Sequence, residues 1–300
     1  MRIGIIGLGR MGQGIAHRVL QAGYHAVGFD LDVQACALVA DMGVTIAPDI
    51  ASLARQVDVV WIIVPAGPIV DKVLASLKPV LTSSTVVIDG GNSKFTDSMR
   101  RAQELLAQGV AFLDCGTSGG LHGKEIGFSL MVGGDQQAYT KVLPLLQAIA
   151  APDGVGYVGP SGAGHYVKMV HNGIEYALLQ AYAEGFQLIK EGTFKHNDLD
   201  LAEITRIWNN GSIIRSWIVH LSHDIFEKDQ TFAQISGKIE ESGTGQWTVE
   251  EAHAHKVPVK LIEDALKIRA ESRTSGGNYA TKIVALLRHA FGGHRVVNKS

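Results

Sequence analysis

The chain has 300 residues, of which 46% are hydrophobic and 19% charged, with a formal net charge of −2. That supports one large core or two ordinary ones and excludes a disordered chain. The near-neutral balance gives no reason to expect a nucleic-acid or membrane-surface partner, and two distant cysteines, Cys36 and Cys115, make neither a disulfide framework nor a metal motif.

The apolar start, Met1 to Leu8, is broken by Gly7, Gly9 and Arg10 too early for a signal peptide. No segment reaches the ~18 consecutive apolar residues of a membrane span, and the cysteine usage suits a reducing cytosol, so a cytoplasmic location is expected. Strands are predicted at 2–6, 25–29, 57–64, 85–89, 110–115, 129–132 and 156–158. Helices are predicted between them at 11–22, 32–42, 68–77, 97–108 and 136–150. This alternation defines an α/β domain over residues 1–161 with a mostly parallel, doubly covered sheet. Beyond the glycine-rich stretch Gly159 to Gly164, helical periodicity takes over at 164–190, 199–208, 257–271 and 275–291. Residues 162–300 therefore read as an all-α domain for substrate and assembly, ending in a polar tail at 295–300.

Gly7-Leu8-Gly9-Arg10-Met11-Gly12 follows the first strand and opens the first helix. In that context G-x-G-x-x-G is the Rossmann dinucleotide fingerprint: the glycines permit a tight turn, close approach to a pyrophosphate, and helix–strand packing. The helix N-terminus then faces the phosphates. Asp30 ends the second strand, eighteen residues after Gly12. Its carboxylate suits ribose hydroxyls and repels a 2′-phosphate, and Leu31 offers no counter-charge, so NAD is expected over NADP. Val64, Pro65 and Ala66 end another strand and form a candidate wall for the cofactor, with Asn92 as a further contact. Pro65 and Gly67 equally suit an ordinary turn.

Two loops fall at later strand ends: Asp89-Gly90-Gly91-Asn92-Ser93 and Cys115-Gly116-Thr117-Ser118-Gly119-Gly120. Either alone could be turn chemistry, with Asn92 capping the next helix. A helix follows in which Lys168, His171, Asn172 and Glu175 share one face, while Met169, Val170 and Ile174 point elsewhere. Such groups are costly to bury without partners, so their convergence reads as a site. A solvated Lys–Glu face is the plain alternative.

Together GLGRMG, DGGNS, GTSGG and GHYVKMVHNGIEY, in this order and spacing, resemble the 6-phosphogluconate dehydrogenase family. The likeness runs on through Ser242-Gly243-Thr244-Gly245-Gln246-Trp247 to Phe291-Gly292-Gly293-His294 and covers essentially the whole chain. It resembles the compact form, lacking half of the large helical domain. The long NADP-using form has Asn-Arg-Thr after the second strand; Asp30-Leu31-Asp32 stands here.

The resemblance implies oxidative decarboxylation of 6-phosphogluconate to ribulose 5-phosphate in the pentose phosphate pathway. Lys168 is then the base at the C3 hydroxyl and Glu175 the acid at C1. The base must be neutral before it acts, below the free lysine value of ~10.4; burial works toward this and a carboxylate against it. Asn92, Ser118, Gly119, Gly120, His171 and Asn172 are expected to hold the sugar acid. Tyr176, Arg269, Arg288 and His294 are expected to take the phosphate. Ser242 replaces a family lysine, with Lys238 and Lys260 as possible substitutes. No metal is required, and a homodimer or homotetramer is expected. The alternatives are a non-decarboxylating β-hydroxyacid dehydrogenase of the 3-hydroxyisobutyrate or tartronate semialdehyde type, and a non-catalytic NAD sensor. Glu175 and DGGNS separate the chain from the first, and the Lys168–Glu175 pair from the second.

Overall fold

A computed structural model describes residues 1–241 and 243–299. Its elements run β1 (Arg2–Ile6), α1 (Arg10–Gln21), β2 (His25–Phe29), α2 (Val33–Ala40), β3 (Thr45–Ile46), α3 (Ile50–Ala54), β4 (Val59–Ile62), α4 (Pro68–Leu77), β5 (Val86–Asp89) and α5 (Phe95–Leu106). Then come β6 (Ala111–Ser118), α6 (Gly123–Ile126), β7 (Phe128–Gly134), α7 (Gln136–Ile149), β8 (Ala150–Gly159) and α8 (Ala163–Glu191). The chain closes with α9 (Leu201–Asn209), α10 (Trp217–Lys228), α11 (Thr244–Ala254), α12 (Lys260–Ser275) and α13 (Tyr279–Gly292). Compact units span Met1–Met169 and Val170–Ser300, so the division falls inside α8. The change of sequence character at 161–162 lies just ahead of that helix.

In the first unit eight strands form one sheet in the order β3-β2-β1-β4-β5-β6-β7-β8, parallel except at β6–β7. The first six follow the Rossmann order, whose direction reverses between β1 and β4, where dinucleotides bind. Strict alternation sends Val59, Trp61, Val86 and Ile88 to one face and Val60, Ile62 and Val87 to the other. The first face packs against Ile15 and Val19 of α1 and Val142, Leu145, Leu146 and Ile149 of α7. The second packs against Val70, Val73, Leu74 and Leu77 of α4 and Leu105 of α5. Burial at about 1.5–3 kcal/mol per large side chain holds the sheet between its two helical layers, and fixes the strand ends that carry the loops.

The second unit is helical. Leu179, Ala183 and Phe186 of α8 pack with Phe226, Ile283, Val284 and Leu287. An aromatic chain links Phe186 to Phe226 (5.0 Å between centroids), Phe226 to Phe232 (5.9 Å) and Phe232 to Tyr279 (5.3 Å). A smaller cluster joins Tyr176, Val249, Ala265 and Leu266. The polar tail is tied back: the Ser236 N–H donates to the Val297 carbonyl (2.8 Å) and the Lys299 N–H to that of Gln234 (2.9 Å). Ile235 and Asn298 form an antiparallel bridge. No helix among the described residues is long and apolar enough to cross a membrane.

Candidate active site

The glycine loop sits at the carboxyl end of β1, beside that of β4. Gly7 has φ 99°, and a Cβ there would lie 2.5 Å from the Ile63 carbonyl oxygen. Gly9 is the N-cap of α1 with no side-chain cap, and a Cβ on it would meet nothing within 4 Å. With no side-chain cap at Gly9, the N-terminus of α1 suits a pyrophosphate. The Asp30 carboxylate accepts from the Leu8 N–H at 2.6 Å and the Asp32 N–H at 2.9 Å. It anchors the glycine loop and keeps acceptor capacity for ribose hydroxyls. Leu31 is exposed, and so is Arg10.

Val64, Pro65 and Ala66 lead into Gly67, the N-cap of α4 at φ 94°, with Pro68 opening the helix. This turn touches the next loop, since a Cβ on Gly91 would lie 2.5 Å from the Val64 carbonyl oxygen. Asp89 accepts from the Gly91 N–H (3.0 Å) and from the Ser93 hydroxyl (2.7 Å). Asn92 is not the cap of α5; that position is Lys94, with no side-chain cap. Asn92 adopts φ 54°, donates to the Thr117 carbonyl (3.1 Å) and accepts from the Thr117 N–H (3.0 Å). It fastens the loop after β5 to the end of β6, leaving one amide N–H and one oxygen lone pair for a ligand. Ser118 ends β6, and Gly119 (φ 125°) and Gly120 (φ 52°) turn the chain away in conformations that favour glycine.

The start of α8 is seated on β6 and β7. Asp114, wholly buried, accepts from the Gly162 N–H (2.6 Å) and the His165 N–H (2.9 Å) and so caps the helix. A Cβ on Gly116 would lie 2.5 Å from that of Lys168. The glycine therefore lets Lys168 settle against the strand, where it is 6% exposed. One turn earlier the buried His165 shares a 2.7 Å hydrogen bond between Nδ1 and Ser98 Oγ. Beyond Met169 the helix carries His171, Asn172 and Glu175, all half-buried; 168, 172 and 175 fall on one helical face.

In the second unit His171 Nδ1 and Asn172 Oδ1 are 3.1 Å apart, and the Asn172 amide donates to Thr244 Oγ1 (3.3 Å) at the start of α11. Tyr176 is buried, with the Arg269 guanidinium carbon 3.3 Å above its ring centroid. Arg269 is 1% exposed and Arg288 4%. Burial is the main cause that pushes Arg269 down to about 10; Tyr176, Glu175 and Glu241 work against it, while Arg288 adds to it. Burial likewise lowers Arg288. Neither terminal nitrogen of Arg269 has a hydrogen-bond partner among the described residues. An unpaired buried cation is costly and fits an anionic ligand. His294 lies half-buried after α13, its carbonyl accepting from His289. Lys238 and Lys260 are exposed, and Ser242 lies outside the described residues.

Asp114, His165, Thr244 and Arg101 were absent from the expectations. Asp114 is a carboxylate inside an otherwise apolar strand, the kind of signal that could have marked it; Arg101 hides in an Arg-Arg pair on an amphipathic helix. No group of three or more His, Cys, Asp or Glu side chains that could hold a metal occurs among the described residues.

A Rossmann sheet with a dinucleotide loop, followed by a lysine-bearing helix and buried arginines, defines a dehydrogenase-type protein. Residues 2–198 match the family model described as the NAD binding domain of 6-phosphogluconate dehydrogenase, and 164–290 match that enzyme's C-terminal domain. The chain belongs to the 6-phosphogluconate dehydrogenase family. It is 47% identical to an NAD(+)-dependent, decarboxylating 6-phosphogluconate dehydrogenase of Haloferax volcanii, over all of this chain and 99% of that protein. A Bacillus subtilis protein of the same description is 37% identical over 89% of this chain and 60% of its own length. The Plasmodium falciparum 6-phosphogluconate dehydrogenase structure, described with NADP+ and with 6-phosphogluconate, superposes with a TM-score of 0.84 at 29% identity, covering 92% of this chain and 62% of that one.

Proposed function

We propose that this chain oxidises and decarboxylates 6-phosphogluconate to ribulose 5-phosphate and CO2 with NAD as hydride acceptor. The observation that carries the reading is Arg269, a buried guanidinium with no hydrogen-bond partner on either terminal nitrogen among the described residues. With Tyr176 and Arg288 it suits a phosphate dianion, which an unphosphorylated β-hydroxyacid does not offer. The names of the Haloferax and Bacillus relatives support NAD, as does the Asp30 carboxylate tied to Leu8.

NAD, when bound, would supply the hydride acceptor for C3. Gly7, Leu8, Gly9, Arg10, Met11 and Gly12 hold its pyrophosphate, Asp30 its ribose, and Val64, Pro65, Ala66 and Asn92 its nicotinamide side. Lys168 removes the C3 hydroxyl proton and then donates to the new carbonyl, which draws the electrons released as CO2 leaves. Glu175 delivers the proton to C1 of the enediol. Ser118, Gly119, Gly120, His171, Asn172 and Asn92 hold the hydroxyls and carboxylate; Tyr176, Arg269, Arg288 and His294 hold the phosphate. The domains run 1–161 and 162–300, and the protein works as a cytoplasmic homodimer or homotetramer. Exposed apolar side chains on the second unit, including Leu178, Leu188, Ile207 and Ile213, support assembly.

The test compares kcat/KM with NAD for 6-phosphogluconate, gluconate and 3-hydroxyisobutyrate. The phosphorylated acid is expected to lead by roughly 100-fold or more, since its absence leaves Arg269 unpaired. Preference for 3-hydroxyisobutyrate would overturn the reading.

A further inference from the structure

The three loops at the sheet edge share one support that lies outside every sequence motif. Arg101, on α5, is wholly buried. Its Nε and Nη2 donate to the two Asp71 oxygens (2.9 and 3.2 Å), and Nη2 also donates to the Gly67 carbonyl (2.9 Å). Its Nη1 donates to Asp89 Oδ2 at 3.3 Å. Through Gly67 it holds the turn after β4. Through Asp89, which binds the Gly91 N–H and the Ser93 hydroxyl, it holds the loop after β5. Asn92, between those two residues, is bonded twice to the Thr117 backbone and so carries the support to the end of β6.

A buried ion pair is weak evidence of stabilisation, because desolvation offsets its attraction; apolar packing of similar volume often serves as well. What Arg101 supplies that packing cannot is direction. A planar fork of donors fixes acceptor residues on a turn, a strand end and a helix at once, and a lysine ammonium cannot reproduce that geometry. We propose that Arg101 is a positioning residue: it sets the cofactor-side turn at Gly67 against the Asn92–Thr117 loop pair, and hydride transfer depends on that register. The kinetic part rests on the dehydrogenase reading above; the structural part does not.

Arg101→Lys tests it, with Asp71→Ala, which removes the half-exposed partner, as the milder variant should the first fail to fold. By hydrogen exchange, amides at 64–67, 89–93 and 116–118 are expected to lose protection about tenfold while β1 and β4 keep theirs. In turnover of 6-phosphogluconate with NAD, kcat is expected to fall about 10- to 100-fold, the range for a misplaced reacting pair. The isotope effect on kcat with substrate deuterated at C3 is expected to rise as hydride transfer becomes limiting. Unchanged loop protection overturns the proposal. So does a kcat that falls only in step with the folded fraction, with the isotope effect of the parent. If the parent itself does not turn over 6-phosphogluconate, the dehydrogenase reading fails, and the exchange experiment still decides the role of Arg101.

Discussion

Replacing Arg269 with methionine should move stability and activity in opposite directions. The guanidinium is held down to about 10, against an ordinary value of about 12.5. At about 1.4 kcal/mol per pH unit, the folded protein gives up roughly 3 kcal/mol to keep the charge where it is. Loss of the guanidinium's packing on the Tyr176 ring offsets about 1–2 kcal/mol of the gain from removing that charge. Arg269→Met removes both, so the ligand-free protein should gain about 1 kcal/mol and melt roughly 2–4 °C higher. With substrate the order reverses. Two charge-assisted hydrogen bonds to phosphate contribute about 3 kcal/mol or more, so kcat/KM for 6-phosphogluconate should fall roughly 100-fold. Substrate should raise the melting temperature of the parent and leave that of the variant nearly unmoved. Thermal melts with and without substrate, alongside steady-state kinetics, read all of these changes. A variant that melts lower without ligand and keeps the parent's KM would refute the assignment of Arg269 as an anion site.

Lys168→Met should remove turnover while NAD still binds, measured by nucleotide titration; appreciable residual oxidation would take the base role from Lys168. Asp30→Asn should lower the preference for NAD over NADP by about tenfold, because one negative charge facing a 2′-phosphate is lost; the two kcat/KM values report it. Asp71 gives a pH signature. Hydrogen bonds from Arg101, then Arg100, hold its carboxyl down to about 2. Its stabilisation is therefore present above the unfolded value of about 3.9 and lost as pH falls toward 2. Asp71→Asn should cost about 1 kcal/mol at neutral pH, reduced by screening at a half-exposed side chain, and match the parent near pH 2 in urea melts.

What could be read from the sequence was what is local. The glycine loop, Asp30 after β2, and the α8 face depend on spacings within one element or one turn, and the elements that carry them are present. Strand β3 was missed because Thr45 and Ile46 are too few to show alternation. Helix α11 was missed because it begins at a left-handed Gly243 and mixes glycine and β-branched residues into its first turns. The pairing of 297–299 with 234–236 runs through backbone atoms and leaves no side-chain signature. Arg100 and Arg101 are neighbours of identical type, yet the side chain of one is 46% exposed and that of the other 0%. Only partners 12 to 34 residues away distinguish them. The buried state of Arg269 and Arg288 likewise depends on helix packing within the second unit, which spacing alone does not encode.

Oxidation at C3 is expected to lead to loss of C1 as CO2 and reprotonation of the enediol. One stoichiometric run in D2O measures it, following NADH by absorbance, CO2 by capture, and deuterium in the ketopentose phosphate by mass spectrometry. One NADH, one CO2 and one deuterium at the new C1 are expected for each substrate consumed. NADH formed without CO2, with the six-carbon keto acid accumulating, would contradict it and make the chain a non-decarboxylating dehydrogenase.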